Sequence, residues 1–485
     1  MRNRIVLAAL LLSLVACRGM QLAPQAEAAP VRPNVILIVA DDLGYGDLGS
    51  YGQKRILTPN LDRMAAEGLR FTDFYAGSPV CAPSRCTLLT GKHPGHALVR
   101  DNWEAGGWGE FDAEGQMPLP TDTPTLGRAM QAAGYQPACV GKWGLGGPGS
   151  TGEPNAQGFD HFYGYLCQRQ AHNFYPTHLW SDGERVELEG NVWKNLTGPH
   201  YAHDLMTEDA LRWVEEQRED PFFLLLTYTV PHLALQVPDD SLEPYLGEWD
   251  DPAYDGKKGY LPHPHPRAAY AGMISRMDRD VGRLLAQLES MGVDENTLVL
   301  FTSDNGATYD IGGAHSEFFE SNGPLRGAKG SVYEGGLRVP LIARWPGHTP
   351  AGAVTGAIGA FWDLMPTLLD VAAIEDVDET LDGRSLKPVL VGDCNGDPER
   401  VLYWEFPGYG SQQALREGNW MLVRRQLKKG TPTTELFNLA VDIGQTNDLA
   451  SEHPGLVRRM MERMAAAHEP NSDFPLPGVD ALVGG

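Results

Sequence analysis

The chain has 485 residues, 42% of them hydrophobic, and a formal net charge of −24. That length exceeds what one hydrophobic core serves, so a large domain and a smaller one are expected. So acidic a chain lacks the basic footprint of a nucleic-acid binder, and an anionic substrate would need a local cluster of cations.

Arg2 and Arg4 precede an apolar run from Ile5 to Leu14 that is too short to span a bilayer and reads as an export signal. The run ends Leu14-Val15-Ala16-Cys17, similar to a bacterial lipobox, which makes residues 1–17 a signal peptide and Cys17 the lipidated mature N-terminus. The rival reading is ordinary cleavage near Ala26-Glu27-Ala28. Residues 18–32, rich in Ala, Gln and Pro, read as a tether. The expected location is outside the cytoplasm: periplasmic or outer-membrane-anchored through lipid alone, or else secreted. Cysteines stand at 17, 81, 86, 139, 167 and 394 with no C-x-x-C pair, so a thiolate zinc site is not expected. Those left unmodified could pair in an oxidising compartment.

Asn34 to Ala40 is a continuous apolar, β-branched run, as in a strand buried on both faces of a parallel sheet. It runs into Asp41-Asp42. Adjacent carboxylates at the end of a buried strand are costly unless paired or metal-bound, and ligands of open α/β sheets gather at that edge. The alternative is a pair of solvated loop aspartates. A helix follows from Thr58 to about Gly68, with Thr58 or Asn60 as its cap and Gly68 as its stop. Phe71 to Tyr75 reads as a strand. Then comes Cys81-Ala82-Pro83-Ser84-Arg85-Cys86-Thr87-Leu88-Leu89-Thr90-Gly91. Pro83 suits a helix's first turn, which places Cys81 at a helix N-terminus, where the dipole favours negative charge. Taken alone, Cys81 could equally be a buried structural thiol.

Thr125 to Ala133 reads as a helix and Tyr135 to Val140 as a strand, running into Gly141-Lys142-Trp143-Gly144. Gly158 to Tyr165 reads as a structural glycine-aromatic loop, and the stretch from Gln168 to Trp180 as a long loop with His172, Tyr175, His178 and Trp180. After a helix from Asp204 to Gln217, the buried strand Pro221 to Tyr228 leads to Val230-Pro231-His232. Ala269 to Ser290 carries an apolar stripe at helical spacing and is core. Thr297 to Thr302 is a third buried strand, ending in Ser303-Asp304-Asn305-Gly306. Strand ends bearing Asp-Asp and Asp-Asn supply four hard oxygen ligands, suited to Ca²⁺ or Mg²⁺. The loop from Ala307 carries His315, and Lys329 and Tyr333 to Pro340 follow; Glu334, Arg326 and Arg338 read as ion pairs or backbone anchors. Val339 to Trp345 reads as a core strand and Asp363 to Ala373 as a helix. Beyond Cys394, short strands at 401–406, 413–416, 421–425 and 435–438 read as a small antiparallel sheet, closed by a helix from Val457 to His468.

These motifs, in this order, resemble the type I sulfatases of the alkaline-phosphatase-like superfamily: C-x-P-S-R with L-T-G at Cys81, G-K-W at Lys142, P-H at His232, S-D-N-G at Asp304. The resemblance implies an α/β fold with a large, mostly parallel sheet flanked by helices over residues 33–394, and a smaller antiparallel-sheet subdomain over 395–485. It implies a sulfatase acting on sulfate monoesters. Cys81 would be oxidised to formylglycine by a maturation enzyme, and one hydroxyl of the hydrated aldehyde would attack sulfur. Asp41, Asp42, Asp304, Asn305 and residue 81 would ligate the cation. Arg85, Lys142 and Lys329 would neutralise the sulfate oxygens, and His232 would protonate the leaving oxygen. Many members carry a histidine where this chain has Gly144, so one contact is missing from the expected set.

The substrate alcohol is expected to be a carbohydrate, with His172, Trp180 and His315 as candidate sugar contacts; packing is the rival reading for the aromatics and histidines of residues 168–180, more so for the others than for His172. Two other readings stand beside this one: a phosphonate or phosphate monoester hydrolase of the same superfamily, and a carbohydrate-binding lipoprotein with an inactive site.

Overall fold

The computed structural model describes residues 32–104, 114–217, 220–375, 380–428 and 431–483. The expected signal peptide, the lipidation site at Cys17 and almost all of the tether lie outside the described residues. The described residues form one compact unit.

Ten strands build the main sheet. In chain order they are β1 (Asn34–Asp41), β2 (Leu69–Phe71), β3 (Gln136–Lys142), β4 (His161–Tyr165), β5 (His178–Ser181), β6 (Glu184–Glu187), β7 (Phe222–Pro231), β8 (Thr297–Ser303), β9 (Leu341–Arg344) and β10 (Ala353–Thr355). Across the sheet they run β10-β2-β9-β8-β1-β7-β3-β4-β5-β6. The centre, from β8 to β4, is parallel, and antiparallel strands flank it on both sides. Alternate residues of β1 feed opposite faces. Ile36, Ile38 and Ala40 pack with helices α1 (Pro59–Glu67), α4 (Ala202–Glu216) and α5 (Pro266–Met291). Val35, Leu37 and Val39 pack with α2 (Cys81–Thr90), α3 (Leu126–Ala132) and α6 (Phe361–Val371). The continuous apolar runs of β1, β7 and β8 are therefore the sequence of strands covered on both sides.

A second, antiparallel sheet of β11 (Val401–Phe406), β12 (Gln412–Glu417), β13 (Trp420–Arg425) and β14 (Thr433–Asn438) follows. One face buries Leu402, Trp404, Phe406, Met421 and Val423 against Tyr75 and Trp362 of the first part. The other packs Leu415, Leu422 and Leu436 under Met460 and Met464 of α7 (Pro454–Ala466). Among the described residues no helix is long and apolar enough to cross a membrane.

Several local expectations are corrected. Thr58 sits at the N-cap of α1, but its hydroxyl makes no cap bond to that helix, instead accepting from Gly49 N and donating to Asp62; Asn60 is inside the helix. The stretch 71–75 is split between β2 and a two-residue strand, Phe74–Tyr75. The glycine-aromatic segment is not a loop, because its backbone pairs in register with β3 as β4. The segment after Gln168 ends in strand β5. Cys81, Cys86, Cys139, Cys167 and Cys394 are all free thiols, so no pairing occurs among them.

Candidate active site

The carboxyl ends of β8, β1, β7 and β3 lie side by side, and the chain places a polar group at each. Ala40 is in register with Ser303, and Asp41 with Pro231. β1 bulges between Val39 and Asp41, and Asp42 adopts φ 65°, left-handed backbone that Asp tolerates better than most residues. Both aspartates thereby stay at the sheet edge. Their loop is tied to β8: Asp42 N donates to Asp304 Oδ1 at 3.2 Å, and Leu43 N to Ser303 Oγ at 3.0 Å.

Helix α2 brings Cys81 to the same edge. All ten of its residues are buried. Asn102 Oδ1 accepts from Ala82 N at 2.9 Å, satisfying an amide of the first turn, and Gly91 at φ 64° ends the helix. Cys81 Sγ lies 3.4 Å from Asp41 Oδ1 and 3.5 Å from Lys329 Nζ.

Four cationic or basic side chains close around these groups. Lys142 Nζ donates to Asp41 Oδ2 at 2.5 Å, and Lys329 Nζ to Asp42 at 2.8–2.9 Å. Arg85 directs Nε and Nη2 to Asp304 Oδ2 at 3.2 and 2.8 Å, and Nη1 to the Lys142 carbonyl at 2.6 Å. His232 donates from Nδ1 to the Leu233 carbonyl at 2.5 Å, so the neutral ring turns the Nε2 lone pair into the site, 3.5 Å from Asp42 Oδ2. The His172 ring stacks on His232 with centroids 4.3 Å apart, and Tyr260 stands against both.

The electrostatics follow from burial and pairing. Burial opposes ionisation of Asp41, but Lys142, His232, Arg85 and Lys329 carry its carboxyl well below the usual range. Burial raises Asp42, with the neighbouring Asp41 adding to the effect against Lys329. Burial and Asp41 push Asp304 up to about 7 despite Arg85. The Cys81 thiol is pushed up to about 12 by burial and by Asp41. Burial and Lys329 hold His232 well below its ordinary value, and burial and His232 do the same to His172.

Asp41, Asp42, Cys81 and His232 offer donor atoms within 4.8 Å of one another. Asn305 donates to Asp42 at 2.7 Å while its own Oδ1 is buried with no partner. Three buried carboxylates and an orphaned amide oxygen at one edge fit a hard divalent cation. A second group, His93, His96 and Asp382, does not fit one as well. Gly95 N donates to His93 Nδ1, which leaves the proton of the neutral ring on Nε2, and that nitrogen faces Asp382.

The structure thus brings together Asp41, Asp42, Cys81, Arg85, Lys142, His232, Asp304, Asn305, Lys329 and His172. Trp180 and His315 are held by other neighbours. Trp180 is on β5, its indole donating to Glu114 at 3.0 Å. His315 stands at the N-cap position of the short helix Ser316–Phe319, without a side-chain cap bond, beside Asp310 and Lys258. Two clefts open at the site. One of about 300 Å³ is lined by His172, Asn173, Trp193, Lys194 and Tyr260. The other, about 770 Å³, has Lys329, Tyr309 and Tyr409 with the acidic Asp310, Glu317 and Glu320. Tyr260 had no signal in the sequence, since it lies in an irregular loop; neither did Gln168, which fills the space beside Gly144.

A parallel sheet whose carboxyl edge gathers carboxylates, a buried thiol and cations is the arrangement of an α/β-class enzyme with a site suited to a metal ion and an anionic ligand. The profile of the sulfatase family matches residues 33–374, and that of the N-sulphoglucosamine sulphohydrolase C-terminal region matches residues 328–468. The chain is 33% identical over 386 residues to N-acetylgalactosamine-6-sulfatase of Canis lupus familiaris, covering 76% of this chain and 67% of that protein. It is 35% identical over 436 residues to arylsulfatase A of Homo sapiens, covering 83% and 77%. Among solved structures it is similar to Ps i-CgsB in complex with k-i-k-neocarrahexaose, with a TM-score of 0.77 and 29% identity over 93% of this chain and 96% of that one. The chain belongs to the sulfatase family. It is a sulfuric ester hydrolase with a cysteine-type active-site cluster and metal-binding residues.

Proposed function

We propose that the protein is an exported carbohydrate sulfatase that uses a formylglycine made from Cys81 by a maturation enzyme, with Ca²⁺ or Mg²⁺ held by Asp41, Asp42, Asp304, Asn305 and residue 81. The observation that carries this reading is the meeting of Cys81 with Asp41 and Lys329 at the sheet edge, within 3.5 Å. When bound, the cation supplies Lewis acidity and the hydrated aldehyde supplies a hydroxyl nucleophile. Lys142, paired with Asp41, and Lys329, paired with Asp42, each set a positive charge against the sulfate oxygens. Arg85 holds Asp304 and the Lys142 carbonyl, which fixes the end of β3 from which Lys142 projects. His232 Nε2 is the atom that takes up a proton and passes it to the leaving oxygen. Stacking on His172 and the Nδ1 bond to Leu233 fix the plane of that ring.

The leaving alcohol belongs on the side of His232, where the cleft of about 300 Å³ offers Trp193 and Tyr260 as faces for a sugar ring. The relatives named for N-acetylgalactosamine and for a neocarrahexaose complex support a sugar sulfate as the first class to test. Lipid anchoring at Cys17 belongs to the same proposal.

The test is peptide mass spectrometry across residue 81 after expression with a maturation enzyme, followed by a screen of sulfated sugars against phosphate and phosphonate monoesters. Aldehyde mass, sugar-sulfate turnover and its loss on chelation are expected. Turnover of phosphonates in preference to sulfates would move the protein to the alternative hydrolase. An unmodified Cys81 with sugar binding but no turnover would make it a binding protein.

A further inference from the structure

The two clefts at the site differ in charge. The larger carries Asp310, Glu317 and Glu320. No carboxylate lines the smaller one, of about 300 Å³, and two cationic side chains, Arg169 and Lys194, do. Arg169 is held by Glu104 at 2.8 Å. Lys194 makes no ion pair and no side-chain hydrogen bond among the described residues, in a chain with 63 Asp and Glu against 39 Lys and Arg.

Lys194 also sits on unfavourable backbone. Asn195 N donates to Val192 O at 3.1 Å, which closes a turn with Trp193 and Lys194 in the middle. Lys194 has φ 65° and Trp193 lies outside the left-handed region, the pattern of a type II turn, whose third residue is ordinarily Gly or Asn. A lysine there strains the backbone where glycine would not.

The turn is nonetheless firmly held. Asn191 Nδ2 donates to Pro176 O at 2.7 Å and to His200 O at 2.8 Å, and Asn191 Oδ1 accepts from His200 N at 3.1 Å, so this buried side chain closes the loop at its base. Gln236, fully buried, donates from Nε2 to Asn195 O at 2.6 Å and accepts from Phe174 N at 2.9 Å. Gln236 belongs to the segment that follows His232, so the turn is fastened to the chain that carries the leaving-group side of the site.

A strained lysine, unpaired and on a fastened turn, at the wall of a cleft without carboxylates, points to a ligand that brings the counter-charge. We propose that Lys194 forms an anion subsite on the leaving-alcohol side, taking a second negative substituent, sulfate or carboxylate, of the sugar whose sulfate ester is cleaved. The substrate class is then a multiply anionic carbohydrate. The inference rests on the carbohydrate-sulfate reading of the site. An ammonium is a point charge with three rotatable donors, so it serves either anion and sorts substrates by charge more than by shape. The carboxylates of the larger cleft repel the same substituent, which sets the direction in which the sugar lies.

The test takes enzyme matured at residue 81 and compares kcat/KM on monosulfated hexoses, on the same hexoses with a second sulfate, and on the monosulfated hexoses joined to a uronic acid. Wild type is expected to prefer the doubly charged probes, the disulfates if the subsite takes sulfate and the uronides if it takes carboxylate. Lys194→Met is expected to lower that preference by about 5- to 20-fold, and added salt to shrink it in wild type but not in the variant. Lys194→Gly removes the charge and the strain together, so its melting temperature should equal or exceed that of wild type while the preference falls as in Lys194→Met. A lysine kept for the fold predicts the reverse, a lower melting temperature with the preference unchanged, and that outcome overturns the proposal. No preference in wild type, or one that stays within about twofold of wild type in both variants, also overturns it. An aryl sulfate separates the two levels. Turnover of aryl and hexose sulfates without a charge preference removes the subsite alone, whereas turnover of the aryl sulfate with no hexose sulfate removes the carbohydrate reading and the proposal with it.

Discussion

Glu334→Gln is expected to destabilise the whole molecule without touching the nucleophile. Glu334 is fully buried, and its Oε2 accepts from Arg338 Nε at 2.5 Å and from Tyr75 OH at 2.9 Å. Arg338 and Arg416 lie over the Tyr75 ring, at 5.3 and 5.2 Å from its centroid. Asp73 is the second anion of the group, 2.7 Å from Arg416 and 3.4 Å from Arg338. Two guanidinium groups are thus balanced by two carboxylates. The glutamine preserves shape and a hydrogen bond to Tyr75, but leaves two buried cations facing one carboxylate. Breaking a buried pair from one side costs about 3–5 kcal/mol, and the retained hydrogen bonding places this case near the lower end, about 3 kcal/mol. Urea unfolding followed by tryptophan fluorescence measures it, because Trp362 and Trp404 pack in the adjoining cluster. Arg416 belongs to β12, so the small sheet and the main domain are expected to lose stability in one transition. A loss under about 1 kcal/mol would refute the charge-balance argument.

Two further outcomes are expected. Arg85→Lys retains a charge but cannot serve Asp304 and the Lys142 carbonyl together, so kcat/KM for a sulfate ester should fall about 10- to 100-fold, with the fold intact by circular dichroism; activity within twofold of wild type would show that the fork geometry is unimportant. For His161, burial disfavours the charge, but hydrogen bonds to Asp182 and Asp209 at 3.0 and 2.7 Å raise its pKa from 6.5 to about 9. A value raised in the folded state gives stability that is complete below pH 6.5 and lost as pH rises through about 9. Melting temperature should therefore decline over that window, and His161→Gln should flatten the decline; a slope unchanged by the substitution would place its cause elsewhere.

The parts legible in the sequence were those whose signal is local. β1, β7 and β8 each carry a continuous apolar run because helices cover both of their faces, and each run ends where polar residues begin. That made the metal edge visible, since Asp41-Asp42 and Asp304-Asn305 had to fall at matching ends. What stayed hidden depends on partners far along the chain. Residues 161–165 carry glycine and aromatics that suit a loop as well as a strand, and only register with β3 makes them β4. Strands β5, β6 and β10 have three or four residues each and no periodicity of their own. Trp180 read as either packing or a sugar contact, and the bond of its indole to Glu114, which is distant in sequence, was not visible there. Gly144 read as a missing contact because the residue standing in its space, Gln168, comes from the next strand connection.

The burial of α2 also fixes an order of events. Cys81 is 1% exposed, at the start of a helix that has no exposed residue. No enzyme can close around that side chain once the domain has formed, since reaching it would mean withdrawing the helix from the core. On the proposed formylglycine reading, the oxidation of that thiol must therefore happen while this stretch is still extended, during or soon after synthesis. Folding then acts as a deadline. On the same reading a molecule that passes it unmodified stays inert, so the active fraction of a preparation records how translation, maturation and folding raced one another.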